Sequence, residues 1–103
     1  MNRLVLSARL EERGALRYTP AGLPALDLSL AHESDVSHEG QVRKVSMPVK
    51  SLAIGQLVDV LNRLPLGAQA VFAGFLAPAR NGRGMLFHIT ELTQEPPASA
   101  SEH

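Results

Sequence analysis

The side chains of this chain best suited to chemistry are cations set beside glycines. Within residues 68–92, AQAVFAGFLAPARNGRGMLFHITEL, two apolar runs flank a short tip that holds Pro78, Arg80, Asn81, Gly82, Arg83 and Gly84. Runs rich in Val, Phe, Ile and Leu around Asn-Gly and Arg-Gly, which tolerate positive φ, predict a β-hairpin with a cationic, flexible end. Guanidinium groups on such a tip suit something negative and extended, and their planes also stack on flat rings. Further cations stand at Arg17 in a turn-like stretch and at Arg43, Lys44 and Lys50 in a strand-like one.

Other chemistries find no residues to carry them. The chain has no cysteine, which excludes disulfides, thiol catalysis and thiolate zinc sites. Its histidines, His32, His38, His88 and His103, show no HExxH or close acidic spacing and read as structural or exposed, with no metal implied. No nucleophile and base, carboxylate pair or phosphate loop can be assembled at acceptable spacing, so neither an enzyme, a cofactor nor a small-molecule substrate is expected.

A chain of 103 residues is one domain with a real core, and 45 % apolar with 19 % charged residues is ordinary for a globular protein. The longest apolar run is about half of the roughly 20 residues a membrane-spanning helix needs. Without a signal-peptide pattern either, the expected location is the cytoplasm, with no membrane contact. The formal net charge is zero, but residues 1–93 hold all ten basic side chains and eight of the ten acidic ones, a balance of +2. Binding to an anion must therefore depend on where the cations sit.

Residues 2–12 place Leu4, Leu6, Ala8 and Leu10 on one face and Val5, Ser7, Arg9 and Glu11 on the other, the period of a half-buried strand. The following Gly- and Pro-rich stretch around Arg13, Arg17 and Tyr18 reads as an exposed turn, where Tyr18 serves either to cover a core edge or as a stacking platform. From residue 25, Leu26, Leu28 and Leu30 point inward and Asp27, Ser29 and Ala31 outward. Residues 35–41 read as a loop centred on Gly40. A third strand follows over residues 42–50, with Val45, Met47 and Val49 opposed to Lys44, Ser46 and Lys50, and Pro48 marks it as an edge or a bulge. Residues 52–64 change period: Ile54, Leu57, Val58, Leu61 and Leu64 recur as on one face of a helix. Gly55 weakens or delays its start, and Pro65 with Gly67 ends it. After the hairpin, residues 94–103 are polar and proline-bearing, and the expectation is a 1–93 domain followed by a disordered tail. Three strands, a helix and two strands give an all-β class: a five-stranded OB-fold Greek-key barrel with one short helix between strands 3 and 4.

The stretch RYTPAGLPALDLSLAHES resembles the bacterial single-stranded DNA-binding protein superfamily, in which an arginine-tyrosine-x-proline-x-glycine turn leads into the second strand. Within it the chain is most similar to the primosomal replication protein N family. That resemblance covers residues 2–92 and runs through NRLVLS, Pro20-x-Gly22-x-Pro24, the strand end at residues 30–34, Met47-Pro48-Val49, Gly74-Phe75-Leu76, Asn81-Gly82 and residues 85–92. It implies a homodimeric OB-fold protein without catalytic activity that binds single-stranded DNA in the replication-restart primosome and bridges the PriA helicase to a further primosome protein. It carries the family's cationic turn onto Arg17, its basic hairpin tip onto Arg80 and Arg83, and its third-strand DNA-facing segment onto Arg43 and Lys44. The chain departs from strong binders of the family in two places: the tip has no lysine, and the QVRKVS segment has no aromatic.

Single-strand binding needs a basic track for phosphates and flat side chains for bases, the latter worth roughly 1–3 kcal/mol per base. The aromatics here are Tyr18, Phe72, Phe75 and Phe87. The phenylalanines lie in predicted strands, and only Phe75, facing opposite to Phe72, is offered to a base. Lys50 joins the cation set. Two further expectations follow: dimerisation by edge pairing of the first strand through Leu4, Val5, Leu6 and Ser7, and weak to moderate, salt-sensitive, sequence-tolerant binding. Two other readings stand beside this one. One is a protein-interaction adaptor with little DNA affinity; the other is an ordinary single-stranded DNA-binding protein, against which the lack of a long acidic-tipped tail argues.

Overall fold

Leucines at alternate positions from residue 26 make one side of a strand into a core wall, and the remaining elements assemble around it. In the computed structural model, which describes residues 1–94, these are β1 (Leu4–Arg13), β2 (Arg17–Tyr18), β3 (Pro24–His38), β4 (Gln41–Ile54), α1 (Leu57–Arg63), β5 (Gln69–Pro78) and β6 (Met85–Gln94). β1 pairs antiparallel with β5 over residues 4–9 and with β3 over residues 9–13, and the ladder β5–β6–β4–β3 joins those two partners. Five strands thereby close into the expected all-β barrel. A register shift between Leu10 and Glu12 lets β1 bend from one partner to the other. β6 meets β4 in parallel at Ser51↔Phe87 and Leu52↔His88, the contact that completes the ring.

The interior holds Leu10, Leu26, Leu30, Phe72 and Phe87, all fully buried, and Val58 and Leu61 of α1 join the same cluster. The inward alternation of Leu26, Leu28 and Leu30 is as expected. Arg13 ties the helix to the barrel: its Nη1 donates to the carbonyls of Leu61 (3.1 Å) and Leu64 at the end of α1. A cation there satisfies the Leu64 carbonyl, shares the Leu61 carbonyl with the Leu64 N–H, and lies at the favourable end of the helix dipole.

Three expectations are corrected. Residues 35–41 are not a loop: β3 continues to His38 and β4 begins at Gln41, so only Glu39 and Gly40 turn the chain, both left-handed at φ 54° and 78°. That is the backbone of a tight hairpin turn. The segment is polar on both sides because β3 and β4 pair with each other alone there, and an arm with no core to cover needs no apolar face. The helix starts at Leu57 rather than Leu52, because residues 52–54 continue the β3 ladder to Ala25↔Ile54. Ile54, assigned to the apolar face of the helix, is 42 % exposed in the strand. Gly55 at φ 96° then ends the strand, and the helix begins two residues after it, the delayed start expected of that glycine. The third correction is β2, which adds two paired residues to a stretch read as a turn, Arg17↔Ala25 and Tyr18↔Pro24. With β2 counted, the helix lies between β4 and β5. Pro48 sits opposite Ala31 where β4 has no second partner, the edge position its missing N–H requires. Gln94, assigned to the tail, closes β6, and the rest of that tail lies outside the described residues.

Candidate nucleic-acid interface

All ten cations lie within residues 1–94, and their partners sort them. Five are in ion pairs: Arg3 with Glu91, Arg9 with Glu11, Arg17 with Asp27, Lys44 with Asp35 and Arg63 with Asp59. Arg13 is committed to α1. Among the described residues Arg43, Lys50, Arg80 and Arg83 have no carboxylate partner, and these four are all members of the sequence-derived set.

Arg17 is engaged. Its Nε donates to one oxygen of Asp27 at 3.2 Å and its Nη2 to the other at 3.1 Å, a bidentate fork that holds the guanidinium more firmly charged than usual. The two meet because β2 lays Arg17 beside β3, where Asp27 points outward. Asp27 lines a groove of about 600 Å³ with Glu11, Glu12, Arg13 and Lys50.

On β4 the pleat separates the three cations. Lys44 and Lys50 share the face that bears Ser46, while Arg43 points to the other with Val45 and Met47. Lys44 is held loosely, at 3.5 Å from Asp35 across the ladder, with its side chain 87 % exposed. Lys50 lies opposite Ser29 and two residues from Leu52, which pairs with His88 of β6.

At the β5–β6 tip the turn is built by backbone: Gly82 N donates to Ala79 O at 2.9 Å, Ala79 N to Gly84 O at 3.1 Å, and Arg83 N to Asn81 Oδ1 at 2.9 Å. Gly82 and Gly84 sit at φ 77° and 72°, so side chains larger than hydrogen are strained there. Arg80 and Arg83 are both exposed on this frame.

Phe72 and Phe87 are core residues, whereas Phe75 is 39 % exposed on the outer face of β5. Its ring stacks on the imidazole of His88, with centroids 4.8 Å apart and planes within 9°. Phe75, His88 and Leu52 form a row across β5, β6 and β4. Lys50, two positions along from Leu52, faces the same way, and the tip extends from the same hairpin. Reasoning from sequence missed His88 in this role. Its partnership with Phe75 depends on a register shift between Ala73 and Gly74 that leaves Thr90 unpaired. Tyr18 lies apart, in a cleft of about 400 Å³ with Leu16, Leu23 and Val58 against α1.

Of the expected dimer residues, Leu4 and Leu6 are half-buried and Val5 and Ser7 exposed. β1 pairs with β3 only from Arg9 onward, so residues 4–8 have one open backbone side. His32, 8 % exposed, covers part of it: its Nδ1 lies 2.7 Å from the Ser7 carbonyl and its Nε2 3.0 Å from Ser34 Oγ. Among the described residues no group of three or more His, Asp and Glu is placed to hold a metal ion, and no helix is long and apolar enough to cross a membrane.

Residues 2–91 match the family described as "Another single-strand binding protein family". A replication restart protein PriB from Bordetella pertussis is 52 % identical over 80 residues, covering 78 % of this chain and 75 % of its own. The chain belongs to the PriB family of single-strand binding proteins. Its PriB relative from Neisseria gonorrhoeae is 36 % identical over 76 residues, covering 74 % of this chain and 75 % of its own. The solved structure of PriB from Ralstonia solanacearum superposes with a TM-score of 0.85 at 34 % identity, over 93 % of this chain and 99 % of that one. The single-stranded DNA binding protein of Thermus aquaticus shares the fold, with a TM-score of 0.74 at 23 % identity, over 96 % of this chain and 52 % of that one. In this PriB-family chain the barrel thus carries a stacked aromatic pair and a lysine on one outer face, and the hairpin that bears the pair ends in an arginine-bearing tip.

Proposed function

We propose that this PriB-family protein binds single-stranded DNA as a non-catalytic accessory factor of the cytoplasmic replication-restart primosome. In this reading it bridges the PriA helicase to the next primosome component. The observation that carries it is the outer face shared by the Phe75–His88 stack and Lys50, on the hairpin that ends in the Arg80/Arg83 tip. Phosphates run along the cations without acid partners, and a base lies against the aromatic pair. Arg43 reaches the strand from the other side of the β3–β4 arm. Arg17, Tyr18 and Lys44 contribute less: two are ion-paired, and Tyr18 faces the helix cleft. With few stacking groups, binding is weak to moderate and mostly electrostatic. The open side of residues 4–8 and the exposed Val5 support a homodimer through β1, which places two such faces in one particle.

The test is a fluorescence anisotropy titration of oligo-dT at two salt concentrations. With about three or four phosphates neutralised per protomer, the log–log slope is roughly −2 to −3. The double variant Arg80→Ala/Arg83→Ala lowers affinity and flattens that slope; a salt-independent wild type, or one that prefers duplex, refutes the reading. The engagement of Arg17 and Lys44 by acids favours a second reading, a protein-interaction adaptor with little DNA affinity. Intact oligo-dT binding with lost helicase stimulation in the same double variant selects it.

A further inference from the structure

We infer that Asp27 acts as a brake on single-strand affinity, by holding Arg17 in an ion pair and by making one end of the binding face anionic. The inference rests on the single-strand-binding reading above. Asp27 faces outward on β3, and both of its oxygens are taken by the Nε and Nη2 of Arg17. That is the side of the guanidinium that would otherwise grip a phosphate in the same bidentate manner. The surroundings reinforce the effect. The groove that Asp27 lines also contains Glu11 and Glu12, while its two cations are Arg13, whose Nη1 is bonded to α1, and Lys50. Glu11 is held by Arg9, and Glu12 has no cation among the described residues.

A phosphate backbone that passes Lys50 toward β2 therefore meets three carboxylates, and the one arginine awaiting it there is already neutralised. The strand is confined to the other end of the face, toward Phe75, His88 and the tip. Removing the charge of Asp27 ends a repulsion and releases Arg17 in one step. Both groups are exposed to solvent, and in water one unit of charge at about 4 Å is worth about fivefold in affinity. One additional phosphate contact steepens the salt slope by about 0.7.

The experiment compares wild type, Asp27→Asn, Arg17→Ala, the double variant Arg17→Ala/Asp27→Asn, and Asp59→Asn, all titrated with oligo-dT at two salt concentrations. Asp27 is exposed and asparagine keeps its shape, so thermal melting serves only to confirm the fold. Asp59→Asn makes the same change in net charge on α1. The expected result is about fivefold tighter binding and a steeper slope for Asp27→Asn. Asp59→Asn stays at the wild-type value, and the gain is largely lost when Arg17 is absent. If Asp27→Asn binds no better than wild type, or gains no more than Asp59→Asn, or gains equally without Arg17, the brake is refuted. A wild type that binds no oligo-dT at low salt instead refutes the single-strand reading itself, and this inference falls with it.

Discussion

The imidazole of His88 lies parallel to the ring of Phe75, with centroids 4.8 Å apart and planes within 9°. The stack turns a lone surface phenylalanine into a rigid flat platform, since the histidine supports one face of the ring. Base stacking is worth roughly 1–3 kcal/mol, so Phe75→Ala weakens oligo-dT binding by about tenfold. The salt slope is unchanged, because no charge is lost. His88→Phe retains binding and His88→Ala loses part of it. Anisotropy titrations at two salt concentrations separate these outcomes from a loss of cations.

Arg13 joins barrel to helix through two carbonyls at the end of α1. Removing a partly buried charged donor costs about 1.5–3 kcal/mol. Arg13→Ala therefore lowers the urea midpoint while leaving oligo-dT affinity close to wild type. A variant with normal stability and weakened binding would place Arg13 in the interface instead.

Gly74 faces the backbone of β6 so closely that a Cβ built there would stand 1.8 Å from the carbonyl oxygen of His88. Neither backbone can yield without breaking the ladder. Gly74→Ala is expected to cost more than about 3 kcal/mol, at the severe end for single substitutions, and to abolish the Phe75–His88 stack with the register that sets it. Denaturant unfolding measures the first effect, and oligo-dT binding by the remaining folded fraction measures the second.

Val5, 53 % exposed, lies on the stretch of β1 whose backbone has one open side. Val5→Glu places a like charge on both sides of an isologous pairing and yields a monomer by light scattering at micromolar concentration. A wild-type monomer under those conditions would remove the dimer.

Much of the barrel could be read from the chain because its signals are local. Leu26, Leu28 and Leu30 alternate, Val58 and Leu61 recur at helical spacing, and Asn81-Gly82 marks a reversal. The β3–β4 arm was hidden for a physical reason. Residues 35–38 pair only with residues 41–44 across the turn, so no buried face imposes an alternation, and polar composition looks like loop. The boundary at residues 52–54 was ambiguous because Leu52 and Ile54 fit both periods, and only pairing with β3 decides between them.

For the site, sequence alone determined which side chains were available: few aromatics, no cysteine, and cations spread over three segments. It also placed Asp27 on the outward face of its strand. Tertiary structure decided which of those cations are spent. Arg17, Arg43, Lys44, Lys50, Arg80 and Arg83 are alike as residue types. Whether each meets an acid depends on register and on β2 docking, which are set by contacts between segments far apart in the chain. The same holds for His88, which becomes part of a platform only because a one-residue shift opposite Gly74 brings it against Phe75.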